Sequence, residues 1–308
     1  MFAGYDSFSN RPMKIITEPQ CIDYSRCGNP EAPQRVSQTL EALRAQPFLP
    51  LTWGEPIAVS DDVILRAHDP ELLQRLTLPE DFDEDTPAYP NVLHLARRSV
   101  GGALAALGAA REGDIGFSIM RPPGHHATRT QAMGFCYLNS IAVAALEARA
   151  TGFQRVAVLD FDVHHGNGTE AILLGQPGVV FVSVHESGYP HTGREHRGSN
   201  CYNFPAPPYT SREDYCARLS AGLATIKGFN PDLLAVSAGF DAYREDPLSD
   251  QALEIEDYCW LGDLIRKLDV PVFGILEGGY SSALPQLVLS FLCGLAGKTN
   301  AAAPRSIP

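Results

Sequence analysis

Residues 156–170 read VAVLDFDVHHGNGTE, and this stretch constrains the fold more tightly than any other in the chain. Residues 156–159 are aliphatic and uncharged, as in a strand buried on both faces. Asp160, Asp162 and His164 follow at alternate positions. A strand over 156–162 projects alternate residues to one side, so these groups are expected to converge at its C-terminal end. Gly166 and Gly168 then break the strand, and Thr169 and Glu170 open a helix. Open parallel α/β sheets bind ligands at such strand ends. Asp-x-His offers a carboxylate oxygen and an imidazole nitrogen, both zinc ligand types. A capped strand end with surface histidines is the plainer alternative, and a third ligand has to come from elsewhere.

The rest of the chain supplies the partners of this strand. Further strands are expected at 115–120, 179–184, 233–237 and 272–276. Helices are expected at 36–45, 70–76, 92–111, 140–150, 214–226, 255–268 and 284–295. Residues 1–35 and 186–212 read as irregular, and 77–90 as an acidic, proline-bearing loop. Strands alternating with helices require crossover connections. The expected fold class is therefore α/β: a single-domain, open, mainly parallel sheet flanked by helices, covering 1–308 with a frayed tail at about 299–308.

Charge and cysteine usage narrow the function classes. With 24 basic against 36 acidic residues the net charge is −12, which disfavours a nucleic-acid-binding surface. Seven scattered cysteines, none in a C-x-x-C, read as thiols in a reducing compartment. Residues 1–14 lack an apolar signal-peptide core, and the apolar runs at 101–110 and 284–295 are too short or interrupted to span a bilayer. A cytoplasmic protein without membrane or nucleic-acid partners is expected.

Polar clusters close four of the strands. Asp241, in SAGFDA, is the candidate third ligand, leaving one metal position open as catalytic zinc requires; a helix N-cap is its plainer reading. His125 and His126 follow a rigid Pro-Pro-Gly turn and are candidates for general base. Asp160 and Asn167, not needed by the metal, are the natural orienting partners of the two imidazoles. Tyr280, after Gly278-Gly279, is placed to donate to a developing oxyanion, unless it simply packs on a turn. Together these parts describe metal-assisted hydrolysis of an amide.

Five segments carry a resemblance: 121–127 (RPPGHHA), 134–139 (GFCYLN), 159–170 (LDFDVHHGNGTE), 237–242 (SAGFDA) and 276–280 (LEGGY). In this order they resemble the zinc-dependent histone deacetylase family, on the arginase/deacetylase fold. Asn167 and the GNGT run resemble its class II branch and bacterial amidohydrolase relatives. The resemblance implies zinc on Asp162, His164 and Asp241, with His126, paired with Asn167, as both general base and general acid. It implies a charged His125 on Asp160 and carbonyl polarisation by Tyr280. It further implies a structural potassium on Asp160, Asp162, His164, Ser183 and Val184. An acyl-lysine tunnel would be walled by Phe135 and Tyr189, with the Gly134 carbonyl accepting the substrate amide. Thr86 is expected on the rim against the substrate backbone, and Arg35 behind the metal.

Departures from the family pattern concern the mouth. Residues 29–33 read NPEAP where the family has H-P-E-R-P, which touches a rim loop. His191 replaces a glycine, and Tyr189 a phenylalanine. Leu248 stands where polyamine-specific relatives carry Glu, which favours an acylated lysine in a protein or peptide. An acetylated small amine is the alternative substrate, since the acidic loop offers other carboxylates. An arginase-like dimanganese reading fails at position 166, which is Gly where the second metal needs Asp. A catalytically silent acyl-lysine binding module would lack one of the chemical groups, and all are present.

Overall fold

The computed structural model describes residues 11–298, so the expected frayed tail lies outside the described residues. In chain order the strands are β1 (Met13–Ile16), β2 (Leu51–Gly54), β3 (Ile115–Ser118), β4 (Val156–Asp160), β5 (Val179–Glu186), β6 (Cys201–Ala206), β7 (Leu233–Ala238) and β8 (Val272–Leu276). They form one sheet in the order β2-β1-β3-β8-β7-β4-β5-β6, and every pairing is parallel. The helices are α1 (Gln34–Ala45), α2 (Asp61–Ile64), α3 (Pro70–Arg75), α4 (Val92–Glu112), α5 (Ser140–Ala150), α6 (Asn167–Leu173), α7 (Arg212–Phe229), α8 (Ile255–Arg266) and α9 (Leu284–Leu295).

Alternation along β4 divides the interior into two layers. Ala157 and Leu159 join a cluster with Leu223 of α7, Leu261 of α8 and Phe291 of α9. Val156 and Val158 join the opposite cluster, with Val100 of α4 and Ile141 of α5. Both faces are dry, which is why the strand reads as a continuous aliphatic run. Each large aliphatic side chain buried in this way contributes about 1.5–3 kcal/mol.

Three strands lie where irregular structure or none was expected. β2 and β6 are the two edges of the sheet, and β1 is the strand next to β2. β2 leaves Thr52 and Trp53 exposed, and β6 contains Pro205, which an edge strand tolerates because one side of its backbone has no partner.

The central strand is also shorter than expected. Phe161 still donates its N–H to the Ser237 carbonyl at 3.1 Å, but Asp162 N–H turns back to Asp160 Oδ1 at 3.1 Å. The chain therefore leaves the sheet after Asp160, and alternation within a strand to 162 does not explain where Asp162 and His164 point. The level of the site is set by register instead: Asp160 lies opposite Ser183 of β5 and Ser237 of β7. Among the described residues no helix is long and apolar enough to cross a membrane. None of the seven cysteines forms a disulfide among the described residues.

Candidate active site

The turn after β4 is folded around two carboxylates. Asp162 Oδ1 accepts the N–H of His164 at 3.0 Å, and Asp241 Oδ1 accepts the N–H of Val163 at 2.9 Å. With the turn so fixed, Nδ1 of His164 lies 3.2 Å from Asp162 Oδ1 and 3.1 Å from Asp241 Oδ2. One ligand atom from each residue falls within 4.8 Å of the others, a group able to hold a metal. Burial and the neighbouring charge of Asp162 push Asp241 up to about 7. A buried carboxylate raised by its neighbour is one whose charged form a cation would stabilise.

Beyond β8 the chain closes over the same carboxylates. Gly278 donates its N–H to Asp162 Oδ2 at 2.7 Å. A side chain at 278 would collide with the carboxylates of Asp162 and Asp241, so glycine there permits their close approach.

The tandem histidines face different partners. His125 Nδ1 lies 3.1 Å from Asp160 Oδ2 and is buried. Burial opposes its charge, but Asp162, Asp160 and Glu277 outweigh it and hold the ring protonated up to about 10. His126 Nδ1 lies 2.7 Å from Asn167 Oδ1. Burial, the charge of His125 and then His164 depress it well below the ordinary histidine value. The amide oxygen is an acceptor, so Nδ1 carries the proton and Nε2 keeps its lone pair.

A cavity of about 320 Å³ opens above these groups. Phe135 and Tyr189 line it, with His126 and His164 deeper, Gly134 and Tyr280 beside them, and Leu248 and Asp85 at its edge. Tyr189 meets His126 edge-on at 5.3 Å between ring centroids, and Phe135 lies 5.7 Å from Tyr280. Thr86 is corrected by the structure. It is completely buried, and its hydroxyl accepts the Phe135 N–H at 3.0 Å, so it supports the wall from behind and cannot meet a substrate.

The strand ends behind the site carry the candidate potassium ligands. Among the described residues the carbonyls of Asp162 and His164 accept no hydrogen bond. Ser183 Oγ is 2.8 Å from His185 Nδ1, and the Val184 carbonyl accepts the Tyr215 hydroxyl at 3.4 Å.

Several supporting groups escaped the sequence reading. Glu277 accepts the N–H of Gly124 at 2.7 Å and of His125 at 3.2 Å, and the Ser237 hydroxyl at 2.9 Å. An acidic residue ending a buried strand was the available signal. Glu277 also groups with His125 and Cys136 as potential metal donors, but its oxygens are already committed to these hydrogen bonds. Arg35, which was expected from the sequence behind the metal, donates to the carbonyls of Gly279, at 2.7 Å, and of Glu277, and its guanidinium lies 4.8 Å from the Tyr280 ring centroid. Glu31 in the NPEAP segment is not a rim residue alone. It is buried and pairs with Arg121, at the start of the histidine turn, at 2.5 and 2.7 Å.

Residues 29–295 match the histone deacetylase domain family. A probable deacetylase of Methanothermobacter thermautotrophicus is 36% identical, aligning 93% of this chain with 91% of its own. A histone deacetylase-like amidohydrolase of Pseudomonas aeruginosa is also 36% identical, over 87% of this chain and 74% of its own. The crystal structure of an acetylpolyamine aminohydrolase from Burkholderia pseudomallei superposes with a TM-score of 0.84 at 29% identity, covering 94% of this chain and all of that one. A match over most of the length, on the same fold, places this chain in the histone deacetylase family.

Proposed function

We propose that the chain is a zinc-dependent amidohydrolase that removes acetyl or related acyl groups from lysine side chains. The observation that carries this reading is the convergence of Asp162, His164 and Asp241 beneath a cavity with aromatic walls. With the imidazole nitrogen 3.2 Å from one carboxylate oxygen and 3.1 Å from the other, Asp162, His164 and Asp241 would offer zinc the nitrogen and oxygen donors it takes. Zinc held by these residues would supply Lewis acidity for the acyl carbonyl and for a bound water.

The chain's own groups supply the rest. Phe135 and Tyr189 clasp the methylene stem, and the Gly134 carbonyl accepts the substrate amide N–H. His126 takes the proton of the attacking water at Nε2 and delivers one to the leaving amine. Asn167 fixes the tautomer this requires, because its oxygen accepts from Nδ1. His125, charged on Asp160, adds positive potential where the oxyanion forms. Tyr280 donates its hydroxyl to that oxygen. Potassium on Asp160, Asp162, His164, Ser183 and Val184 would be structural, and the unpartnered carbonyls of Asp162 and His164 support it.

Leu248 at the cavity edge favours acyl-lysine, since it offers no carboxylate to a second ammonium. Asp85 at the same edge supports the second reading, an acetylated polyamine. Turnover of an acetyl-lysine peptide beside N-acetylputrescine, by zinc-loaded protein, decides between them. Full activity after complete zinc removal would sink the mechanism. Zinc binding with turnover of neither substrate would point to a different acyl group or to the silent binding module.

A further inference from the structure

Tyr280 sits on a turn whose backbone is held from two sides. From below, Arg35 donates to the carbonyls of Glu277 and Gly279, and the Gly278 N–H is committed to Asp162. From the side comes a single carboxylate, Asp246, only 5% exposed. Its Oδ2 accepts the N–H of Tyr280 at 2.7 Å and of Ser281 at 3.1 Å. Its Oδ1 accepts the N–H of Leu248 at 3.0 Å. Among the described residues Asp246 makes no ion pair that would account for its burial, and its two oxygens are spent on these three backbone donors. The Tyr280 hydroxyl itself has no hydrogen-bond partner among the described residues, so its position is set by the backbone and by the ring contacts with Phe135 and Arg35.

We propose that Asp246 is a positioning residue, which holds the Tyr280 turn and the Leu248 rim in one register so that the phenol reaches the acyl oxygen. This rests on the role proposed above for Tyr280. A carboxylate is needed because all three partners are donors. An amide in its place keeps one acceptor oxygen and turns an NH2 group toward at least one N–H. The turn then loses a hydrogen bond and the phenol shifts, and a displacement near 1 Å in a catalytic group costs about 100-fold in rate.

The test is a double-mutant cycle on the zinc-loaded protein with an acetyl-lysine peptide. It compares Asp246→Asn, Tyr280→Phe and the double variant, with kcat, KM and zinc content measured for each. Asp246→Asn is expected to lower kcat about 10- to 100-fold with zinc content unchanged. In the Tyr280→Phe background it is expected to change kcat less than about 3-fold, because the hydroxyl it positions is already gone. Equal losses in both backgrounds would overturn the role of Asp246 while leaving that of Tyr280 intact. Full kcat in Tyr280→Phe would overturn both. Should Asp246→Asn not fold, Asp246→Glu runs the same cycle: it keeps the charge, displaces the turn by one methylene, and carries the same expectation of a kcat loss confined to the tyrosine background.

Discussion

The amide oxygen of Asn167 lies 2.7 Å from Nδ1 of His126, where a carboxylate would have added a negative charge. A neutral acceptor fixes the tautomer without favouring the imidazolium, and burial then keeps His126 well below its ordinary value. Asn167→Asp places an opposite charge beside the ring and raises its pKa. A base with a raised pKa loses its free form at higher pH. The acidic limb of the kcat/KM profile is therefore expected to move up by about 1–3 pH units, which a rate profile from pH 5 to 9 measures. An unmoved limb would exclude His126 as the group that limits activity on the acid side.

Tyr280 stands beside Phe135 in the cavity with its hydroxyl unengaged. If that hydroxyl stabilises charge only in the transition state, removing it lowers kcat and spares KM. Tyr280→Phe is expected to lower kcat about 100- to 1,000-fold, as for loss of one oxyanion donor. Steady-state kinetics with zinc content as a control checks this, and a rise in KM alone would assign the residue to substrate binding.

Leu248 is about one-third exposed at the cavity edge. Leu248→Glu places a carboxylate there with Asp85, at a site where water screens the charge. The preference for N-acetylputrescine over an acetyl-lysine peptide is expected to grow about 2- to 5-fold, the scale of a surface ion pair. Competition between the two substrates measures it. An unchanged ratio would show that the second ammonium does not pass this rim.

What could be read from the chain alone follows the physics of burial. β3, β4, β5, β7 and β8 are dry on both faces and so announce themselves as apolar runs. β2 and β6 are half-solvated edges, and a lysine interrupts β1, so their patterns resemble loops. The site was legible where its groups follow strand ends in sequence, as Asp162, His164, Asp241 and Tyr280 do. Glu31 and Asp246 hold groups far along the chain, and nothing local marks them, whereas Glu277 was marked only by its place at the end of a buried strand. Thr86 shows the reverse error, a polar residue in an acidic loop that tertiary packing turns inward to the Phe135 N–H.

The N-terminal segment is tied to the histidine turn by a buried ion pair. Glu31 receives Arg121 through two hydrogen bonds, Arg35 at 3.0 Å and the Tyr24 hydroxyl at 3.1 Å. Arg121 is fully buried, so removing its counter-charge strands a cation in the interior. Glu31→Gln is expected to destabilise the fold by about 3–5 kcal/mol, read as a lower urea midpoint with an unchanged slope. A loss below about 1 kcal/mol would mean that water reaches Arg121 in the folded protein.

His68 offers a pH dependence outside the catalytic groups. Its Nδ1 donates to the Thr128 carbonyl at 2.9 Å, and its Nε2 accepts the Asn139 N–H at 2.8 Å, at the start of α5. Only the neutral ring can do both, and burial lowers its pKa to about 4. The unfolded histidine titrates near 6.5, so between these values the unfolded chain binds more protons than the folded one. His68 thus contributes stability that is complete above pH 6.5 and is lost as the pH falls toward 4, by about 3 kcal/mol across that window. Urea midpoints at neutral and acid pH measure the fall. His68→Gln keeps a donor and an acceptor but cannot titrate, so it is expected to be less stable at pH 7 with a shallower acid slope. The same slope in both proteins would assign the acid sensitivity to other groups.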